Sequence, residues 1–194
     1  GNEGISGRHT SGRVGRTTER VEIAVYEYTS AFSVQIWKNY YDKFNVVITA
    51  PDGSSTGTLT QAGPVTKYRI YNTDILVYYG EPTPYSVNQE IYIDMSPEGD
   101  FFNGGIWTIE LIPEKIVSGE YYMWLPAGSS IYTDTLFLNP AADTTLTIPS
   151  TAGSVMSVGA YDSATDSIAP FSGRGYTTSG IVKPEIVAPG VDII

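Results

Sequence analysis

Between residues 17 and 147 the apolar residues come in short runs separated by turn formers, and nowhere in that interval do they recur with a period of 3.6. A chain without amphipathic helices must bury its apolar surface between sheets. Val21, Ile23 and Val25 alternate with Glu22, Ala24 and Tyr26, the period of two of a strand with one wet face. Phe44 to Ala50 is a second such run. It stops at Pro51-Asp52-Gly53, where proline presets φ and glycine accepts positive φ, so the chain must turn. Further strands are expected at residues 65–71, 75–79, 90–95, 106–112, 120–125, 135–138 and 144–148. Trp107, Ile109 and Leu111, set against Thr108 and Glu110, define an inner face. The abundance of Tyr (15), Gly (20) and Pro (12) fits the same pattern, and the spacing predicts an antiparallel β-sandwich of jelly-roll type.

Charge narrows the partners. With 11 Lys and Arg against 21 Asp and Glu, the net charge of -10 opposes a phosphate backbone, so nucleic acid is not an expected partner. No apolar run approaches the roughly 20 residues a bilayer requires, and no membrane association is expected. Without cysteine the chain cannot form disulfides, thiolate zinc sites or a cysteine nucleophile. It contains one histidine, His9, which limits every proposal of base catalysis.

The two ends have a different character. Residues 17–147 hold 6 Lys and Arg against 16 Asp and Glu, whereas residues 1–16 carry Arg8, Arg13 and Arg16 against Glu3. Residues 148–194 are rich in small side chains, and Ser154 to Ala160 reads as a parallel strand buried on both faces. Three segments are expected: 1–16, 17–147 and 148–194.

Four motifs lie in those ends: Gly1-Asn2-Glu3-Gly4; Val155 to Ala160; Phe171-Ser172-Gly173-Arg174-Gly175; and Lys183-Pro184-Glu185-Ile186-Val187-Ala188-Pro189-Gly190-Val191. Their order resembles that of the subtilisin-like serine peptidases, the subtilases. Thr144 to Ala152 is similar to the clostridial spore germination peptidases of that family. The resemblance covers residues 1–16 and 148–194. It implies partial pieces of an α/β subtilisin-like domain flanking a β-sandwich insertion, in a segment of a serine endopeptidase. The aspartate and histidine motifs precede GNEG in that family and the nucleophilic serine follows the APGV stretch, so this segment is expected to be inactive by itself. The resemblance further implies an extracellular, cell-envelope or spore-associated bacterial setting, a peptide or protein substrate for the parent enzyme, and no cofactor for the chemistry.

The resemblance assigns Asn2 as the side-chain donor of the oxyanion hole, and Thr147 and Ile148 to the border of the pocket for the residue before the scissile bond. A preorganised amide aimed at a developing oxyanion contributes about 2.7–4 kcal/mol of transition-state stabilisation, which suits an asparagine in a stretch with glycines at 1 and 4. The plainer readings are a turn asparagine for Asn2 and the end of a strand for Thr147 and Ile148. His9 is expected as a surface or loop residue, since nothing places a serine on a strained elbow beside it. Asp94 to Asp100 offers three carboxylates to a cation such as calcium, although the spacing is not that of an EF-hand and solvated turn residues are the ordinary alternative. Tyr40, Tyr41, Tyr78, Tyr79, Tyr121, Tyr122 and Trp124 are side chains favoured at recognition surfaces as well as in strand packing. They support the competing view of a non-catalytic β-sandwich that binds carbohydrate or protein. Unpaired strands at the ends are a route to a homodimer.

Overall fold

The computed structural model describes residues 3–61, 65–177 and 179–193. The chain forms two compact units, one of residues 1–9 with 140–194 and the other of residues 10–139. The shift in charge near 17 and 147 does not coincide with these divisions. Residues 10–16 belong to the β unit because β1 (His9–Arg13) joins its larger sheet.

The β unit continues with β2 (Glu19–Val25), β3 (Phe32–Asn39), β4 (Lys43–Thr49), β5 (Thr66–Ile70), β6 (Thr73–Tyr79), β7 (Asn88–Pro97), β8 (Gly105–Lys115), β9 (Glu120–Trp124) and β10 (Leu136–Phe137). One sheet has the order β1-β9-β3-β7-β6-β5 and the other β10-β2-β8-β4. Alternate residues of both sheets enter one core: Val21, Ile23, Ile48, Trp107, Ile109 and Leu111 from one side, Val34, Ile36, Ile75, Ile91, Ile93 and Met123 from the other. The period of two is thus realised as two antiparallel sheets sharing one buried layer, and the fold is mainly β. Tyr71 and Asn72 both have positive φ, which lets two residues reverse the chain between β5 and β6 with Ile70 facing Thr73.

Phe32–Asn39 is a strand outside the expected runs, although Phe32, Val34 and Ile36 alternate with Ser33 and Gln35. Its inward positions are Phe32, Val34, Ile36 and Lys38, and a lysine ends the alternation. The fold tolerates Lys38 because its ammonium donates to the main-chain oxygens of Asp42 at 2.6 Å and Asn39 at 3.2 Å, and stands 5.3 Å from the centroid of Phe44. Burial still pushes its pKa down, to about 8, with Asp42 opposing the fall. Of the aromatic residues suited to either a recognition surface or strand packing, Tyr121 is buried, while Tyr41 and Tyr78 are exposed.

The second unit is described by β11 (Val158–Asp162), β12 (Ser167–Ile168), β13 (Gly175–Tyr176), β14 (Val182–Lys183) and β15 (Ile186–Pro189). β11 pairs with β15 in parallel and with β12 antiparallel, and β13 pairs with β14 antiparallel. Two expectations are corrected here. Ser154 to Ala160 is not a doubly buried strand: pairing begins at Val158, and Val155, Met156 and Val158 are exposed, because among the described residues no helix covers either face. Residues 144–148 form no strand, since Thr144 takes a positive φ and the backbone and hydroxyl of Thr145 are committed to Arg174.

Candidate functional site

The unit of residues 1–9 and 140–194 draws together sequence motifs that are far apart in the chain, Gly4 and Phe171 among them. Glu3 to Ser6 form a tight turn, with the Ser6 amide and hydroxyl both donating to the Glu3 carbonyl at 3.2 and 3.0 Å. The Gly4 amide donates to the Phe171 carbonyl at 3.0 Å. A Cβ on Gly4 would lie 2.5 Å from the carbonyl oxygen of Ser172 and 2.8 Å from that of Pro170, so only glycine allows this approach of two backbones.

Ser172 links that loop to β11. Its hydroxyl is buried and accepts the Ala160 amide at 3.0 Å. Gly159 packs against the KPEIVAPG stretch, where a Cβ would come within 2.7 Å of Pro184 Cγ and 3.2 Å of Val187 Cγ1. The small residues of the Val-Gly-Ala run are therefore set by close packing. Lys183 supplies a third tie. Its side chain is fully buried, pairs with Glu185 at 2.5 Å and donates to the Val155 carbonyl. The other Glu185 oxygen accepts the Ser157 amide at 2.8 Å, and pairing with Lys183, helped by that amide, holds the Glu185 carboxyl below its usual pKa. The Ser157 hydroxyl continues the chain of contacts to the Ser150 carbonyl at 2.7 Å.

Thr145 fastens the residues just before the predicted pocket border. Its amide donates to the Arg174 carbonyl at 3.1 Å and its hydroxyl accepts the Arg174 amide at 3.1 Å. Thr147 and Ile148 follow this anchor and face solvent, Ile148 with 88% of its surface accessible. Asn2 lies outside the described residues. The acidic stretch 94–100 is divided: Asp94 belongs to β7, and Glu98 pairs with Arg69 at 3.3 Å. Among the described residues no three His, Asp or Glu side chains gather as a metal set.

His9 is buried, contrary to the expectation of a surface or loop position, with 4% of its surface accessible. Its carbonyl accepts the Ala141 amide at 2.9 Å. Burial lowers the imidazole pKa to about 4, against weaker opposition from the backbone oxygens of Ala141 and Asp143. Above pH 6.5 the ring is neutral folded or unfolded and no pH dependence arises from it. As pH falls from about 6.5 to about 4 only the unfolded chain takes up the proton, so stability should decline by about 1.4 kcal/mol per pH unit, roughly 3 kcal/mol in all. Denaturant unfolding of the wild type and His9→Gln across pH 4–7 checks this: the difference between them should shrink at low pH, whereas parallel curves would refute a neutral buried imidazole.

Residues 132–193 match the family model of the subtilase family. Among solved structures, the CspB protease of Clostridium perfringens is similar, with 29% identity and a TM-score of 0.91 over 99% of this chain. The match covers 40% of that protein, so the chain spans less than half of its relative's length. No curated protein sequence matches. Three of the four motifs lie within residues 132–193, and the turn of the fourth is hydrogen-bonded to the same loops. Residues 132–193 are thus similar to the subtilase family, on a fold that the chain shares along nearly its whole length with a clostridial protease.

Proposed function

We propose that residues 1–9 and 140–194 contribute to the catalytic domain of a subtilisin-like serine endopeptidase, and that the β unit is an insertion within it. The observation that carries this reading is the convergence of the GNEG turn, the Val-Gly-Ala strand and the FSGRG loop through Gly4, Ser172 and Ala160, with the KPEIVAPG stretch closing on them through Lys183 and Glu185. These contacts fix the backbone on which the segment from Thr145 to Ile148 is carried.

In the proposed reaction a serine outside residues 1–194 attacks the peptide carbonyl, a histidine also outside them takes its proton, and an acyl-enzyme forms and is hydrolysed. Asn2 donates its side-chain amide to the oxyanion. Thr147 and Ile148 border the pocket for the residue preceding the scissile bond, which suits their solvent-facing position after the Thr145 anchor. No cofactor enters these steps. The exposed Val155, Met156, Val158, Ile186 and Val187 are the apolar surface that the remainder of such a domain would cover. The β unit then modulates access of substrate or binds a partner.

Covalent labelling with a fluorophosphonate tests the assignment. The parent polypeptide should be labelled at one serine, identified by mass spectrometry, and the 194-residue chain at none. Stoichiometric labelling of a serine within residues 1–194, or none in the parent, would overturn it.

A further inference from the structure

At one end of the β sandwich three loops present aromatic rings to solvent. Tyr26 and Tyr28 follow β2, Phe101 precedes β8, and Tyr132 precedes β10. The rings form a connected cluster, with centroids 5.3 Å apart for Tyr26–Tyr132, 5.5 Å for Tyr26–Tyr28 and 5.7 Å for Tyr28–Phe101. Tyr28, Phe101 and Tyr132 keep 48, 50 and 50% of their surface accessible, so core packing does not explain them.

The scaffold beneath is closely fastened. Thr29 and Thr135 are completely buried and share a hydroxyl–hydroxyl hydrogen bond of 2.5 Å. The Thr135 hydroxyl also accepts the Tyr26 amide at 3.0 Å, and the Thr29 carbonyl accepts the Phe102 amide at 2.9 Å. The buried hydroxyl pair therefore ties two of the ring-bearing loops and the Thr29 carbonyl ties the third, so the rings are placed before any partner arrives. Beside them opens a cleft of about 520 Å³ lined by Ser30, Gly128, Ser130, Ile131, Tyr132 and Thr133, which adds hydroxyl groups to an aromatic wall.

Charge identifies the ligand. Residues 26–31, 98–104 and 126–135 contain Glu27, Glu98, Asp100 and Asp134 and not one lysine, arginine or histidine. Glu98 is engaged by Arg69, whereas Glu27 and Asp134 are exposed and their fields reach the Tyr26 phenol, whose pKa rises through desolvation first and then through these carboxylates. Negative ring faces beside carboxylates attract a cation that can shed its water against a flat surface. A neutral sugar would gain the ring contact and nothing from the acids.

We propose that the Tyr26, Tyr28, Phe101 and Tyr132 cluster, with its adjoining cleft, binds an arginine or lysine side chain of an extended polypeptide by cation–π contact, with Glu27 and Asp134 supplying charge complementarity. The site belongs to the β unit and stands independently of the peptidase assignment. It is tested on the 194-residue chain by calorimetric titration with the acetylated, amidated pentapeptide Gly-Gly-Arg-Gly-Gly and with the same peptide carrying neutral citrulline in place of arginine. The arginine peptide should bind about tenfold more tightly than the citrulline peptide. Tyr28→Ala and Tyr132→Ala, each with an unchanged melting temperature, should abolish that difference. Tyr28→Phe should preserve it, and Asp134→Asn should reduce it and its salt dependence. Equal affinity for the two peptides, no binding of either, an unaltered difference in the alanine variants, or binding of cellohexaose in place of the peptides would overturn the proposal.

Discussion

Asp42→Ala should destabilise the β unit by about 3–5 kcal/mol and lower its melting temperature by about 10–20 °C, a large effect for a residue in a turn. Asp42 is completely buried, and its carboxylate is filled by backbone donors. One oxygen accepts the amides of Val117 at 2.5 Å and Ser118 at 2.9 Å, and the other accepts Gly119 at 2.8 Å. The turn between β8 and β9 is thereby bound to the turn between β3 and β4. Removing the carboxylate leaves these amides without their acceptor, at a cost of about 1–3 kcal/mol for each that water does not reach. It also removes the charge that supports buried Lys38, which is already pushed down to about 8. The turn has little freedom to relax, because Gly119 holds φ +78° and a Cβ there would run into the Val14 carbonyl. Asp42→Asn retains one acceptor oxygen and should recover part of the loss. Denaturant unfolding gives the value directly, and a loss below about 1 kcal/mol for alanine would contradict the clamp.

The sheets were legible wherever one strand face meets the core and the other meets water. β2 and β8 follow the alternation of Val21, Ile23 and Val25 and of Trp107, Ile109 and Leu111, all of which are buried. The pattern fails where a polar side chain is buried on bonds supplied from elsewhere in the chain. Lys38 ends the apolar alternation of β3 yet is buried on the main-chain oxygens of Asn39, the strand's last residue, and Asp42 in the turn after it, and His9 looks like a surface residue until the backbone oxygens of Ala141 and Asp143 meet it. Residues 144–148 are apolar and β-branched enough to suggest a strand, yet a positive φ at Thr144 and two hydrogen bonds to Arg174, 29 positions away, decide otherwise. For the candidate site, the order of the motifs was readable and their mutual contacts were not. Nothing in the spacing of Ser157 and Glu185 shows that an amide and a carboxylate meet across 28 residues. The signals available were indirect: glycines at 4 and 159 where backbones and side chains crowd together, and a lysine two residues before a glutamate on an otherwise apolar stretch.

The second large effect is kinetic. If residues 1–194 supply the oxyanion donor of a serine peptidase, Asn2 interacts with the substrate oxygen most strongly when that oxygen carries negative charge, and much less with the neutral carbonyl. Replacing it by alanine in the parent polypeptide should therefore lower kcat by about 100- to 1000-fold and leave KM nearly unchanged, the signature of a contact made in the transition state. The nucleophile and its base would remain in place, so fluorophosphonate labelling should slow without changing its site. A fold defect would instead lower the melting temperature and the active fraction together, which separates the two explanations. The decisive measurement is kcat for a peptide ester by Asn2→Ala relative to the parent enzyme, each normalised to titrated active sites. A fall of about two to three orders of magnitude is the expected result, and an unchanged kcat would contradict the placement of Asn2 at the oxyanion.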